Sequence, residues 1–251
     1  MDGCEERLTL LASGKIEVLG QLANSSNETF LVELRLEEAT RAPAGQARHW
    51  AIYKPELGEQ PLRDFPPGLY RRERAAYLVS EALGWGIVPP TVVRQDAPFG
   101  VGSLQWFVDH DPARHYFTLF DEGPGFHDQL RRMAAFDLLV NNTDRKAGHV
   151  LCGDGGRLWG IDHGLCFAAP SKLRTVIWDF AGERVDAGLL ADADRLADTL
   201  SGTRAGALAG ALAEHLTWFE IEALRQRIRD LSLLGVFPDD PTGMRFPWPL
   251  V

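Results

Sequence analysis

A tight Asp154-Gly155-Gly156 turn between two short apolar runs constrains this chain more than any other stretch of its sequence. An Asp-Gly pair in that setting predicts a hairpin, because glycine and aspartate accept the turn's unusual backbone angles. The surrounding residues 136–167 read FDLLVNNTDRKAGHVLCGDGGRLWGIDHGLCF. An apolar helical run leads into Asn141-Asn142-Thr143-Asp144-Arg145, then come a strand, the turn and a second strand ending in Ile161-Asp162-His163-Gly164. Counting back from the turn sets His149 opposite Ile161 and Asp162. Two potential metal ligands therefore converge close to Asp144.

Phosphoryl transfer needs little covalent help from a protein. It needs a carboxylate to orient the attacking hydroxyl and ligands for the magnesium that bridges the nucleotide phosphates. In the protein-kinase pattern the catalytic Asp is followed by a metal-binding Asn and later by the Asp of Asp-Phe-Gly. Here Asp144 is followed at the same distance by His149, and Asp162-His163-Gly164 comes across the hairpin. The carboxylates match in type; His149 does not. His149-x-x-Cys152 and His163-x-x-Cys166 have a spacing compatible with zinc. Strand positions three apart face opposite sides, however, and small buried cysteines are the simpler reading.

A length of 251 residues with 45% hydrophobic side chains is enough for a substantial core. The formal charge of −9 argues against a general nucleic-acid binder and against strong attachment to an anionic membrane. It does not exclude a nucleotide bound locally with a metal. No run is long enough to span a bilayer, and the start MDGCEERLTLLASGK lacks the features of a secretory signal. Three cysteines, an odd number without framework spacing, suit a reducing compartment, so a cytoplasmic location is expected.

Residues 7–36 read as strands around a polar turn, Ala23-Asn24-Ser25-Ser26-Asn27. That turn either folds its amides over phosphates or is an ordinary hairpin connection. Residues 37–47 read as a surface loop. Trp50-Ala51-Ile52-Tyr53-Lys54-Pro55 is an apolar strand ending in a lysine, and residues 69–83 form a helix stopped near Gly84. Glu73 lies on the inward face of that helix, where an acid needs a partner. Lys54 is the candidate; Arg72, Arg74 or solvent is the alternative. Strands follow at 88–93 and 103–108 around an Ala97-Pro98-Phe99-Gly100 turn, and Asp109-His110-Asp111-Pro112 reads as a hinge. Adenine is expected to meet backbone groups near Val108. Beyond the hinge, Asp137 falls on the buried face of a helix at 127–141 and is expected to brace the following loop. Helices are expected at 183–200, 204–212 and 217–234, with the Pro- and Trp-rich tail 237–251 packed on the C-terminal lobe.

Several segments together carry a resemblance. They are Ser25-Ser26-Asn27, Ile52-Tyr53-Lys54, Glu73 with Ala75-Ala76-Tyr77-Leu78-Val79, Ile87-Val88-Pro89 and Gly102-Ser103-Leu104-Gln105-Trp106-Phe107-Val108. Asn142-Thr143-Asp144-Arg145 and Ile161-Asp162-His163-Gly164-Leu165-Cys166-Phe167 complete the ordered set. In this the chain resembles the phosphatidylinositol 3- and 4-kinase superfamily, most closely its type II phosphatidylinositol 4-kinase branch and more distantly the HipA-like kinases. The resemblance implies that Lys54 contacts nucleotide phosphates and Glu73 braces it. It implies that Ser25, Ser26 and Asn27 cover the phosphates, Phe107 and Val108 frame adenine, Asp144 is the catalytic base and Asp162 binds magnesium. His149 stands where these relatives carry a metal-binding asparagine, which bears on the second metal and on magnesium against manganese.

The expectation is therefore an α+β, protein-kinase-like two-lobed fold forming one catalytic domain, with a β-rich N-lobe at 1–108 and a mainly helical C-lobe at 109–251. ATP with Mg2+, or Mn2+, would donate its γ-phosphoryl group to a hydroxyl acceptor on a lipid, small molecule or protein. The alternatives are a nucleotide-sensing pseudokinase that recruits a partner, and a kinase fold that transfers AMP.

Overall fold

A computed structural model describes residues 3–23, 25–35, 48–201 and 206–251. Asn24 of the polar turn, the loop expected at 37–47 and the start of the helix expected at 204–212 lie outside these residues. The chain divides into two compact units, Met1–Arg74 with Pro89–Val108 and Ala75–Val88 with Asp109–Val251.

The first unit is built on an antiparallel sheet of β1 (Lys15–Gln21), β2 (Phe30–Arg35), β3 (His49–Pro55), β4 (Thr91–Arg94) and β5 (Gly102–Trp106), ordered β1-β2-β3-β5-β4. Its core gathers Leu11, Val32, Leu34, Ala51, Tyr53 and Leu104, nearly all without solvent exposure. A glycine is needed at 102. It pairs with Pro55, and a Cβ there would lie 2.4 Å from the Lys54 carbonyl oxygen. This close approach fixes the strand that presents Lys54.

The strand expected from Arg7 onward is instead a helix, α1 (Gly3–Ser13). Alternation across Leu8-Thr9-Leu10 is too short to distinguish the two periods. Leu8 and Leu11 also share a helical face, and Glu5 and Glu6 occupy the first turn, where acids favour the helix dipole. Thr9 and Ser13 satisfy their hydroxyls on the carbonyls four residues back, at 2.9 and 2.8 Å. The C-terminal end of α1 is covered from a distant strand: Arg94 donates to Leu11 O in its last turn and to Gly14 O just beyond it, each at 3.0 Å. Thr91 rather than Val88 opens β4, since Pro89 and Pro90 have no N–H for a ladder.

Helix α2 (Leu69–Leu83) matches its expected span. Glu59 caps its entry by accepting the N–H groups of Gly68 and Tyr70 at 2.8 and 3.1 Å, and Gly84 closes it at φ +70°. The second unit is mainly helical, with α3 (Tyr116–Asp121), α4 (His127–Val140), α5 (Ala187–Ser201), α6 (Gly206–Ala213) and α7 (Trp218–Leu234), plus the hairpin of β6 (Val150–Cys152) and β7 (Leu158–Gly160). Helix α7 opens on a Thr217–Glu220 capping box and stops at Gly235 in the left-handed region. Arg227 on α7 is half-buried and donates to Leu139 O at 2.7 Å; desolvation pushes its guanidinium down to about 10. The tail is tied on by its backbone: Arg245 O accepts from Thr175 N at 3.1 Å and Leu250 O from Ala147 N at 2.8 Å. Its Phe237 is buried, whereas Trp248 is 87% exposed.

Candidate active site

The loop after α4 begins with a forced turn. Asn141 ends the helix at φ 53°, a left-handed conformation that asparagine tolerates, and its amide donates to Ala168 O and Pro170 O at 2.8 Å each. Asn142 Nδ2 then reaches Asp137 Oδ1 at 3.1 Å, and its Oδ1 accepts the Asp144 N–H at 3.0 Å. Asp137 is fully buried, as expected from its helical face.

The partner of Asp137 is Arg145, itself without exposure. Arg145 Nε and Nη2 reach the carboxylate at 2.8 to 3.1 Å, Nη1 donates to His149 O at 3.2 Å and Ile161 O at 2.8 Å, and Nη2 meets His163 Nε2 at 2.7 Å. One guanidinium thus joins α4, the foot of β6, the exit of β7 and the residue after Asp162. Burial alone would push Arg145 down; the charge and hydrogen bonds of Asp137 outweigh it and hold the guanidinium above its ordinary value.

On this frame the hairpin register follows the Asp-Gly turn. Val150 pairs with Gly160, and Ile161 N donates to His149 O at 3.0 Å. His149 Nε2 comes within 3.3 Å of Asp162 Oδ2. Asp162 adopts φ 60° and keeps its carboxylate 46% exposed, while His149 is mostly covered. Asp144 is half-buried, with Lys146 Nζ 3.0 Å from its Oδ2. Burial raises the pKa of Asp144; Lys146 opposes the shift and the negative charge of Asp162 adds to it. Asp144 and Asp162 therefore sense each other's charge.

One carboxylate with one imidazole fits a divalent ion whose remaining ligands come from phosphates and water. Among the described residues there is no cluster of three His, Cys, Asp or Glu side chains able to hold a metal by themselves. Cys152 Sγ instead accepts from Arg114 Nη1 at 3.1 Å, and Cys166 is buried.

The first unit carries its own expected pair. Lys54 Nζ lies 2.5 Å from Glu73 Oε1, with the lysine 24% and the glutamate 3% exposed. The acid on the inward face of α2 thus has the strand lysine as a partner. Ser25 and Ser26 are exposed in the turn before β2, where Ser25 Oγ lies 2.7 Å from Thr29 Oγ1 and Asn27 Oδ1 accepts the Gln60 N–H at 2.8 Å. Phe107 and Val108 are half-buried just past β5; Phe107 N donates to Trp50 O at 3.0 Å.

The sequence assigned Arg145 no role in this frame and weighed His163 only as a zinc ligand beside Cys166. The signal was present in Asp137: a fully buried carboxylate demands a cation, and an arginine eight positions on was available.

The strand-rich and helix-rich units form an α+β fold of the protein-kinase kind. Solved structures share it. The hydra Fam20 structure with sugar superposes with a TM-score of 0.57 at 14% identity, over 93% of this chain and 89% of that one. The Golgi casein kinase with Mn/ADP bound gives 0.53 at 13%, over 95% and 80%. The Helicobacter pylori proinflammatory kinase CtkA gives 0.50 at 13%, over 90% and 94%. In sequence, residues 70–192 match the family described as phosphatidylinositol 3- and 4-kinase. Protein Rv2133c of Mycobacterium tuberculosis is 42% identical over 98% of this chain and 95% of its own length. Phosphatidylinositol 4-kinase gamma 4 of Oryza sativa is 32% identical over 43% of this chain, which spans only 22% of that protein. The chain belongs to the phosphatidylinositol 3-/4-kinase superfamily, in one family with Protein Rv2133c.

Proposed function

We propose that this chain is an ATP-dependent phosphotransferase that moves the γ-phosphoryl group to a hydroxyl, with Asp144 as the base. The observation that carries the reading is the convergence of Asp162 and His149 across the hairpin, on the loop that Arg145 locks around Asp144. Asp162 and His149 hold the divalent ion, Mg2+ or Mn2+, which when bound neutralises charge on the phosphates. Lys54, braced by Glu73, contacts the same phosphates. Ser25, Ser26 and Asn27 cover them, and Phe107 with Val108 frames adenine. Asp144 needs to be ionised to accept the acceptor's proton, and its raised pKa strengthens it as a base. Among the described residues no cysteine is in a disulfide, and we place the reaction in the cytoplasm.

A second reading, a nucleotide sensor without turnover, draws on one contact: His149 Nε2 engages the carboxylate that the metal requires. Titration calorimetry of ATP with Mg2+ and then Mn2+, followed by product analysis, separates the cases. Binding with ADP formed upholds the kinase and justifies an acceptor screen over inositol lipids, soluble polyols and proteins. Pyrophosphate in place of ADP identifies AMP transfer, and binding without product identifies the sensor. Asp144→Asn is expected to keep nucleotide affinity and lose turnover by about 10²-fold or more; equal activity would remove the base from Asp144.

A further inference from the structure

The stretch that follows α7 shows an imbalance between its side chains and its backbone. Of residues 241–251 only Pro247 is buried, and Met244 and Trp248 are 76% and 87% exposed. Side-chain burial therefore does little to hold this segment. Its carbonyls are nevertheless committed: Arg245 O accepts Thr175 N at 3.1 Å and Trp178 Nε1 at 3.2 Å, and Leu250 O accepts Ala147 N at 2.8 Å.

Both attachment points belong to the frame around Asp144. Thr175 bridges to Arg145, whose N–H donates to Arg174 O at 3.0 Å and whose carbonyl accepts Val176 N at 3.1 Å. Ala147 follows Asp144 and precedes His149 on the same short loop. It is wholly buried and opens the single helical turn Ala147–His149. The first N–H of such a turn has no carbonyl within the turn to reach, and leaving it buried without an acceptor is costly. Leu250 O supplies that acceptor. The other end of the turn is held separately, since Arg145 Nη1 and Ile161 N both donate to His149 O.

We propose that residues 245–250 are a positioning strap, which orders the loop from Asp144 to His149 through backbone carbonyls; its effect on turnover rests on Asp144 being the base. A misplacement of about 1 Å at a reacting group can cost about 10²-fold in rate. Slack at Ala147 moves the base and leaves the contacts of Lys54, Phe107 and Val108 with the nucleotide as they are. The loss therefore falls mainly on kcat.

The test compares the full chain with a chain ending at Gly243 and with Ala147→Pro. Proline removes the donated N–H, is accepted at the first position of a helical turn, and follows Lys146, whose ψ of 161° already suits a residue before proline. Amide hydrogen exchange followed by NMR reads the strap without turnover. Ala147 is expected to be protected in the full chain and to exchange freely in the shortened one, while Gly160 and Phe167, bonded to Ile87 O and Val140 O, stay protected in both. ADP release from ATP with Mg2+ is expected to fall about tenfold or more in kcat in both variants, with nucleotide affinity within about threefold. Equal protection of Ala147 in the shortened chain, unchanged kcat, an affinity loss as large as the kcat loss, or loss of Gly160 and Phe167 protection would each overturn the strap. So would loss of turnover in Trp248→Ala with Ala147 still protected, which assigns the effect to a side chain. A full chain without turnover defeats the kinase reading alone, and the strap then stands or falls on the exchange of Ala147.

Discussion

Asp137→Ala is expected to be among the most destabilising single changes in the second unit. Asp137 and Arg145 are both without exposure, so removing the carboxylate leaves a guanidinium buried and uncompensated. Breaking such a pair costs about 3–5 kcal/mol. For a chain of this size each kcal/mol lowers the melting temperature by about 2–4 °C, giving a fall of roughly 6–20 °C. Urea unfolding of wild type and variant, followed by far-UV circular dichroism, measures it. The double change Asp137→Leu with Arg145→Met separates charge from architecture. Apolar residues of similar volume recover most of the stability, because no buried charge remains. Turnover does not recover, because the Arg145 ties to His149 O and Ile161 O are gone. A loss below about 1 kcal/mol in Asp137→Ala, the size of an exposed ion pair, would refute the reasoning.

Lys54→Met leaves Glu73 buried without its strand partner; a loss of about 1–3 kcal/mol is expected, with weaker nucleotide binding, and unchanged values in both would remove the pair from either role. Asp144 has a folded pKa raised above its ordinary 3.8, so the native state binds more protons in the window between the two values. Stability therefore falls as pH rises through that window, and the penalty persists above it. Asp144→Asn should melt higher than wild type at neutral pH, with the gap closing below 3.8; a gap independent of pH would contradict the shift. His149→Asn replaces imidazole with a harder oxygen ligand and should move the rate ratio toward Mg2+ over Mn2+ several-fold, whereas an unchanged ratio would take His149 out of the metal site.

The parts of the fold legible in the sequence were those with strong local signals. The Asp-Gly turn fixed the hairpin register, so the opposition of His149 to Ile161 and Asp162 could be counted before it was seen. Glu73 was placed by helical period and Lys54 by the end of an apolar strand; Arg72 and Arg74 were also within reach of Glu73 in the sequence, and the structure pairs it with Lys54. Local signals fail where period is short or the partner is remote. Leu8-Thr9-Leu10 fits strand or helix, and α1 is decided by packing in the sheet's core and by Arg94, far along the chain. The arrangement of Arg145 depends on three separate segments, at Asp137, His149 and Ile161 to His163, arriving at one guanidinium, which no local pattern displays.

Asp162 occupies the left-handed region at φ 60°, where most side chains are strained and asparagine is at ease. Exchange of this aspartate for asparagine would keep the turn, the volume and the backbone bonds around it, and would remove only the charge. If Asp162 holds the metal as proposed, a lineage descended from this chain is one substitution away from losing that chemistry while folding, melting and superposing as before. Abundance, thermal stability and overall shape are all blind to that change. A titration with metal and nucleotide is the observation that reads it.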